Sequence, residues 1–277
     1  MVEWHEHAPD SVTRDNDEMR FLTARERERL TDLVVVLTQK EIKLRYKSSW
    51  LGYVWSVANP LAFAILYVVA FGVFMRIDIP QYPLFLIAGL FPWQWVANSV
   101  GAAPVLFLGN ASLLKKVRFP RNVLVAASVL NDGIHFLCAI PVLVVFLFLY
   151  GSRPSLSWLI GIPLLALGQF MFVYGLALAI ASLNLFFRDL ERLTTLMVTF
   201  LFFLTPIVYS ESMIPAKYHA LLYFNPAAPL ILSWRELFLS GRLDWSVIAV
   251  GYLYATVTFG AGSFIYAKLS WKFAEVV

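Results

Sequence analysis

Five stretches of this chain contain no Asp, Glu, Lys or Arg: Val54 to Met75, Pro83 to Leu108, Trp158 to Phe187, Leu193 to Tyr209 and Val247 to Ala267. A sixth, Val123 to Tyr150, is interrupted only by Asn131, Asp132 and His135. A bilayer core ~30 Å thick takes about 20 apolar residues in helix, and a helix satisfies its own backbone where no water can. The runs predict an all-α membrane protein with six transmembrane helices. The composition agrees: 60% of residues are hydrophobic and 14% charged, with a mean hydropathy of +0.70, whereas a soluble domain is roughly a quarter charged. Leu221 to Leu239 is also apolar but carries Asn225, Pro226, Pro229, Arg235 and Glu236. It reads as a re-entrant or interfacial hairpin on one side, with a seventh span as the alternative.

Six spans place both termini on one side. Lys and Arg then distribute unevenly, with 17 of the 22 before residue 54, in 109–122, in 188–192 and after residue 267. The opposite side holds Arg76, Arg153, Lys217, Arg235 and Arg242. The positive-inside rule makes the termini cytoplasmic. The net charge of +4 is thereby assigned to inner-leaflet lipid, and no nucleic-acid partner is expected. The first twenty residues are charged and lack an apolar core, so no cleaved signal peptide is expected. Cys138 is the only cysteine, which excludes an intramolecular disulfide and a cysteine-based metal site.

Three segments on the cytoplasmic side carry more pattern than a connector requires. Thr23 and Glu26 read as a capping box, and Leu30, Leu33, Val34 and Leu37 recur at helical spacing. With Lys40, Lys43, Arg45 and Lys47 this predicts a basic amphipathic helix along the inner leaflet. The chain divides into a tail at 1–29, an interface helix at 30–53, a six-span domain at 54–269 and a tail at 270–277. In the second segment, 110–121, Asn110 can cap a two-turn helix that Pro120 closes. Its exposed candidates for docking a partner are Ser112, Leu113, Leu114, Lys115, Lys116 and Arg118. Arg188 and Asp189, in the charged turn 187–192, form a second candidate surface on the same side.

Within the spans, Phe63, Tyr67, Phe71 and Phe74 follow i, i+4, i+8 and i+11, which aligns four rings on one helical face. Ring faces meet the apolar C–H faces of sugars without fixed hydrogen bonds, so the stripe could form a substrate path; packing or lipid contact is the plainer reading. Trp93 and Trp95, in Phe91-Pro-Trp-Gln-Trp95, are further candidates with the same alternative. Asp132 is the only carboxylate inside a span, at about 2.5–3.5 kcal/mol on insertion scales. It must face protein or water, and His135 lies one turn away.

These pieces together resemble the permease subunits of ABC-2 type ATP-binding-cassette exporters for O-antigen, capsular polysaccharide and teichoic acid. The carriers are Lys43-Leu-Arg-Tyr-Lys47 with Ser49-Trp-Leu-Gly52, Trp55 to Pro60, Leu113 to Arg121, Leu183-Asn-Leu-Phe-Phe-Arg-Asp189, Thr205-Pro-Ile-Val-Tyr209 and Phe224-Asn-Pro226. The resemblance covers residues 30–277. It implies a homodimer joined to two copies of a separate ATPase, moving a lipid-linked polysaccharide outward across the inner membrane. It makes Ser112 to Val117 the coupling helix and residues 210–242 the outer re-entrant helices. The chain has no Gly-Lys pair and so no phosphate loop of the G-x-x-x-x-G-K-[ST] kind. ATP and magnesium are expected on the partner ATPase, and none is expected to bind this chain.

Two other classes compete. A proton-coupled secondary transporter would use Asp132 and His135, yet no second intramembrane carboxylate can relay the proton. A membrane-bound glycosyltransferase would need a carboxylate cluster, which the loops lack. An ATPase encoded beside this chain separates the exporter from both.

Overall fold

The computed structural model describes residue 28 and residues 31–40, 54–116, 119–218, 222 and 224–273. Thr23, Glu26, Leu30, Lys43, Arg45, Lys47 and Arg118 lie outside the described residues, as does the side chain of Lys116. All regular structure among the described residues is helical. Helix α1 covers 31–40. Helix α2 (Val54–Tyr67) continues without a break as a π-helix, Val68–Phe74. Next come α3 (Tyr82–Gly109), α4 (Ala111–Lys116), α5 (Asn122–Leu149), α6 (Trp158–Asn184) and α7 (Leu190–Leu204). Two single 3₁₀ turns lead to α8 (Ala228–Ser240) and α9 (Trp245–Leu269).

Local chemistry sets several of these ends. Pro83 and Pro229 sit in the first turns of α3 and α8, where a missing N–H costs nothing. Gly241 closes α8 in the left-handed region at φ 67°, which a residue without Cβ adopts freely. Asp244 then caps α9, accepting from the backbone N–H of Ser246 at 2.9 Å and of Val247 at 3.4 Å. Those bonds and the Ser246 hydroxyl hold its exposed carboxyl below the usual range.

Helices α5, α6 and the last helix through Lys272 are long and apolar enough to cross a membrane. Helix α3 is equally long at 28 residues, but Pro92, Gln94, Asn98 and Pro104 dilute its apolar character. It needs less, because it is the central helix, packed against α2, α5, α6, α7 and α8. Gln169 of α6 donates to the Pro92 carbonyl and Asn184 to the Pro104 carbonyl, each at 2.8 Å. Polar side chains of a neighbour thus meet α3 at its two interior prolines. Helix α8 has 13 residues, about 20 Å at 1.5 Å each, against a bilayer core of ~30 Å.

Helices α6 and α9 approach backbone to backbone. Of the glycines spaced seven apart on α6, Gly168 and Gly175 face α9, where a Cβ would meet Tyr252 and Thr258, whereas Gly161 faces Leu237 of α8. A Cβ on Gly175 would lie 2.4 Å from the Thr258 carbonyl, and one on Gly262 would lie 2.1 Å from the Gly175 oxygen. Lipid tails are as apolar as leucine, so close van der Waals contact between small residues is what holds such a pair together.

The run Leu193 to Tyr209 is not one helix. Helix α7 ends at Leu204, because Pro206 disfavours helical backbone at Thr205, which is extended at ψ 132°. Fifteen residues cover only about 22 Å, and the remaining residues continue as non-helical chain.

Candidate functional site

Thr205, Ile207 and Val208 are buried, so this non-helical backbone must find partners inside the protein, and three side chains supply them. Tyr82 donates to the Val208 carbonyl at 2.9 Å and Arg235 to the Ile207 carbonyl at 3.0 Å. Asn225 donates to the Thr205 hydroxyl at 2.8 Å, which itself donates back to Leu201. The Asn225 side-chain oxygen accepts from the Ala227 N–H at 3.0 Å, turning the chain into α8. Thr205-Pro-Ile-Val-Tyr209 and Phe224-Asn-Pro226, separate motifs in the sequence, are therefore halves of one structure.

Below this segment the aromatic residues form a branched line. Phe63, Tyr67 and Phe71 succeed one another with centroids 6.5 and 6.0 Å apart. Tyr67 also stacks on Phe202 of α7 at 5.4 Å, and Phe202 meets Trp93 of α3 at 5.9 Å. Phe63 remains 44% exposed, whereas Trp93 and Phe202 are buried. Phe74 stands apart, 77% exposed. The π-helix explains this: its Met75 N–H reaches back five residues to Ala70, and the wider turn carries Phe74 off the face that 3.6-residue spacing assigned to it. Phe202, missed in the sequence, is the ring that joins the line to α3; its place on another helix gave no local signal.

Trp95, two residues from Trp93, faces the other side of α3. It donates to the Val129 carbonyl at 2.9 Å and stacks on Phe136, which reaches Trp234 and Phe238. Gly133 leaves room for its ring, which a Cβ there would meet at 2.7 Å. Asp132, 5% exposed, accepts from the Ser99 hydroxyl of α3 at 2.8 Å, and His135 is partly buried one turn on. Ser99 was not legible as its partner, being 33 residues away on another helix.

At the opposite end, Asn110 does not cap α4 with its side chain. Its amide donates to Leu106 at 3.0 Å, closing α3, and its oxygen accepts from Lys40 of α1 at 3.2 Å. The backbone carbonyl of Asn110 starts α4 instead, taking the N–H of Leu113 and of Leu114. Leu113 and Leu114 pack against the core, so the exposed face of α4 carries Ser112 and Lys115. Arg188 and Asp189 are exposed in the turn between α6 and α7. No group of His, Cys, Asp and Glu among the described residues could hold a metal.

Residues 32–239 match the ABC-2 type transporter family. The chain is 50% identical over 248 residues to the O-antigen export system permease protein RfbA of Klebsiella pneumoniae, covering 90% of this chain and 96% of that one. It is 33% identical to the RfbA of Myxococcus xanthus, across 88% of this chain and 95% of the relative. The Escherichia coli polysialic acid transport protein KpsM is 24% identical over 84% of this chain and 92% of its own length. A match over most of both chains, on a bundle of long apolar helices, places this protein in the ABC-2 type transporter family.

Proposed function

We propose that this chain is the membrane-spanning subunit of an ATP-driven exporter that moves a lipid-linked polysaccharide of the O-antigen kind outward across the inner membrane. The observation that carries the reading is the 50% identity along 96% of an O-antigen export permease. In this reading the chain crosses six times with both termini cytoplasmic, pairs with a second copy, and joins two ATPase subunits that hold ATP and magnesium. The run of α2 with its π-helix, α3, α5, α6, α7 with its extended tail, and α9 supplies the crossings; α8 stays at the outer side.

The ring line supports a polymer rather than a single small substrate. Phe63, Tyr67 and Phe71 lie over eight residues of helix, roughly 12 Å, and offer ring faces without a fixed hydrogen-bond pattern. A chain of sugars passing such a surface exchanges one weak contact for the next. Coupling to the ATPase is assigned to Ser112 and Lys115 on the exposed face of α4 and to Arg188 and Asp189 at the neighbouring turn; Lys116 and Arg118 belong to the same surface by sequence. The Lys40–Asn110 contact ties the interface helix to that surface, so a push on α4 is passed to α1 as well as to α3.

The test is a deletion strain complemented with this chain, scored for surface polysaccharide, together with copurification of its ATPase. Lys115→Glu with Arg188→Glu should insert normally yet stop export while ATP hydrolysis continues. Unchanged surface glycan in the deletion strain refutes the reading.

A further inference from the structure

Beside the extended segment, at the end of the bundle opposite α4, lies a cavity of about 710 Å³, within the ~300–1,000 Å³ range of small-molecule sites. Its floor is Arg235, 7% exposed, whose guanidinium lies 3.8 Å over the Phe85 ring. Gly89 makes the space: a Cβ there would meet Nη2 of Arg235 at 2.5 Å. Nη2 donates to Ile207, and Nε is buried with no hydrogen-bond partner. Nε is enclosed by protein and the Phe85 ring meets the guanidinium face, so what Arg235 presents to the open cavity is its fixed positive charge.

The other ionisable groups in the wall decide what fits. Arg242, Glu211, Glu236 and Asp244 complete the lining charges. Asp244 is committed to capping α9. Its carboxylate keeps its charge, so two arginines face three carboxylates, and one oxygen of Glu236 already accepts from the Ser240 hydroxyl at 2.6 Å; charged donors and charged acceptors still stand side by side in the wall. An anion placed here meets Glu211 and Glu236, and a cation meets both guanidiniums. A hydroxyl is donor and acceptor at once and suits both. Leu232, Leu239, Leu243 and Val247 give the remaining wall an apolar surface for ring C–H groups. We infer that this cavity is a binding subsite for uncharged pyranose units of the transported glycan at the outer mouth, with Glu211, Glu236 and Arg242 reading hydroxyls around Arg235. The inference rests on the proposed export of polysaccharide. It adds a holding point where emerging sugars are kept from sliding back.

The permease–ATPase complex in nanodiscs is titrated with lipid-free, fluorescently end-labelled glycan released from cells that carry the exporter, read by anisotropy; inorganic phosphate serves as the anionic probe. Glu211→Gln and Arg242→Gln change exposed side chains, and each should weaken glycan binding roughly tenfold, the scale of one lost charge-assisted hydrogen bond, with phosphate failing to compete. Equal glycan affinity in wild type and both variants overturns the subsite, as does competition by phosphate at similar concentrations. Surface glycan in the complemented deletion strain, scored separately, tells a failed subsite from a failed transport assignment.

Discussion

Gly262 and Gly260 stand two residues apart on α9 in opposite circumstances. A Cβ on Gly262 would lie 2.1 Å from the Gly175 oxygen and 2.8 Å from the Gly175 carbonyl carbon, against an ordinary contact of 3.4–4 Å. The obstacle is backbone, so no rotamer change relieves it, and α6 and α9 must separate by roughly 1.3 Å. Forced overpacking of this kind costs typically ~1–3 kcal/mol. A Cβ on Gly260 meets nothing within 4 Å, and Gly→Ala at such an unstrained site stabilises by about 0.4–1 kcal/mol through the unfolded chain. Gly262→Ala should therefore melt several degrees below wild type and Gly260→Ala slightly above it, at ~2–4 °C per kcal/mol for chains of 150–250 residues. Fluorescence-detected thermal unfolding of the detergent-purified protein measures both. Equal melting of the two variants would show that α6 and α9 do not touch through their backbones, and the argument for glycine-mediated packing would fail.

Replacing Tyr67 and Phe71 by Ala should lower surface glycan at matched permease levels, with Tyr67→Phe far milder and Phe74→Ala close to wild type; normal export from a Tyr67→Leu, Phe71→Leu double variant removes the ring line from the path. Asn225→Ala should destabilise by about 1–3 kcal/mol, the cost of leaving a buried hydrogen-bonding group unmet, whereas Thr205→Ser keeps the bond and should melt close to wild type. Asp244 has its carboxyl held down by Ser246 and Val247, so its capping contribution is complete above the ordinary value of 3.8 and is lost only as pH falls below it. Hydrogen exchange at the start of α9 should be flat from pH 8 to pH 5 once corrected for intrinsic rates, and Asp244→Ala should raise it throughout.

The long helices were legible because each depends on little beyond its own residues. Val123 to Tyr150 became Asn122–Leu149, and Val247 to Ala267 lies inside Trp245–Leu269; an apolar run with local backbone bonds needs no distant partner. The same locality misled at two points. Helical spacing put Phe74 with Phe63, Tyr67 and Phe71, but a π-turn lies between them. Asn110 has the chemistry of a cap, yet Lys40, 70 residues away, and Leu106 take its side chain.

By itself the sequence determined that this is an all-helical membrane chain, where its apolar runs lie, which end of each run is basic, and that no phosphate loop is present. Family membership was also readable, from the order of short motifs along the runs. Only the tertiary structure decided which residues meet: Thr205 meets Asn225, Ile207 meets Arg235, Phe202 joins Tyr67 to Trp93, and Ser99 meets Asp132. The division follows from range. Hydropathy and helical hydrogen bonding act within a few residues and are written locally, whereas these pairings depend on the register between helices, which close contacts such as Gly175 against Gly262 set only once the bundle has formed.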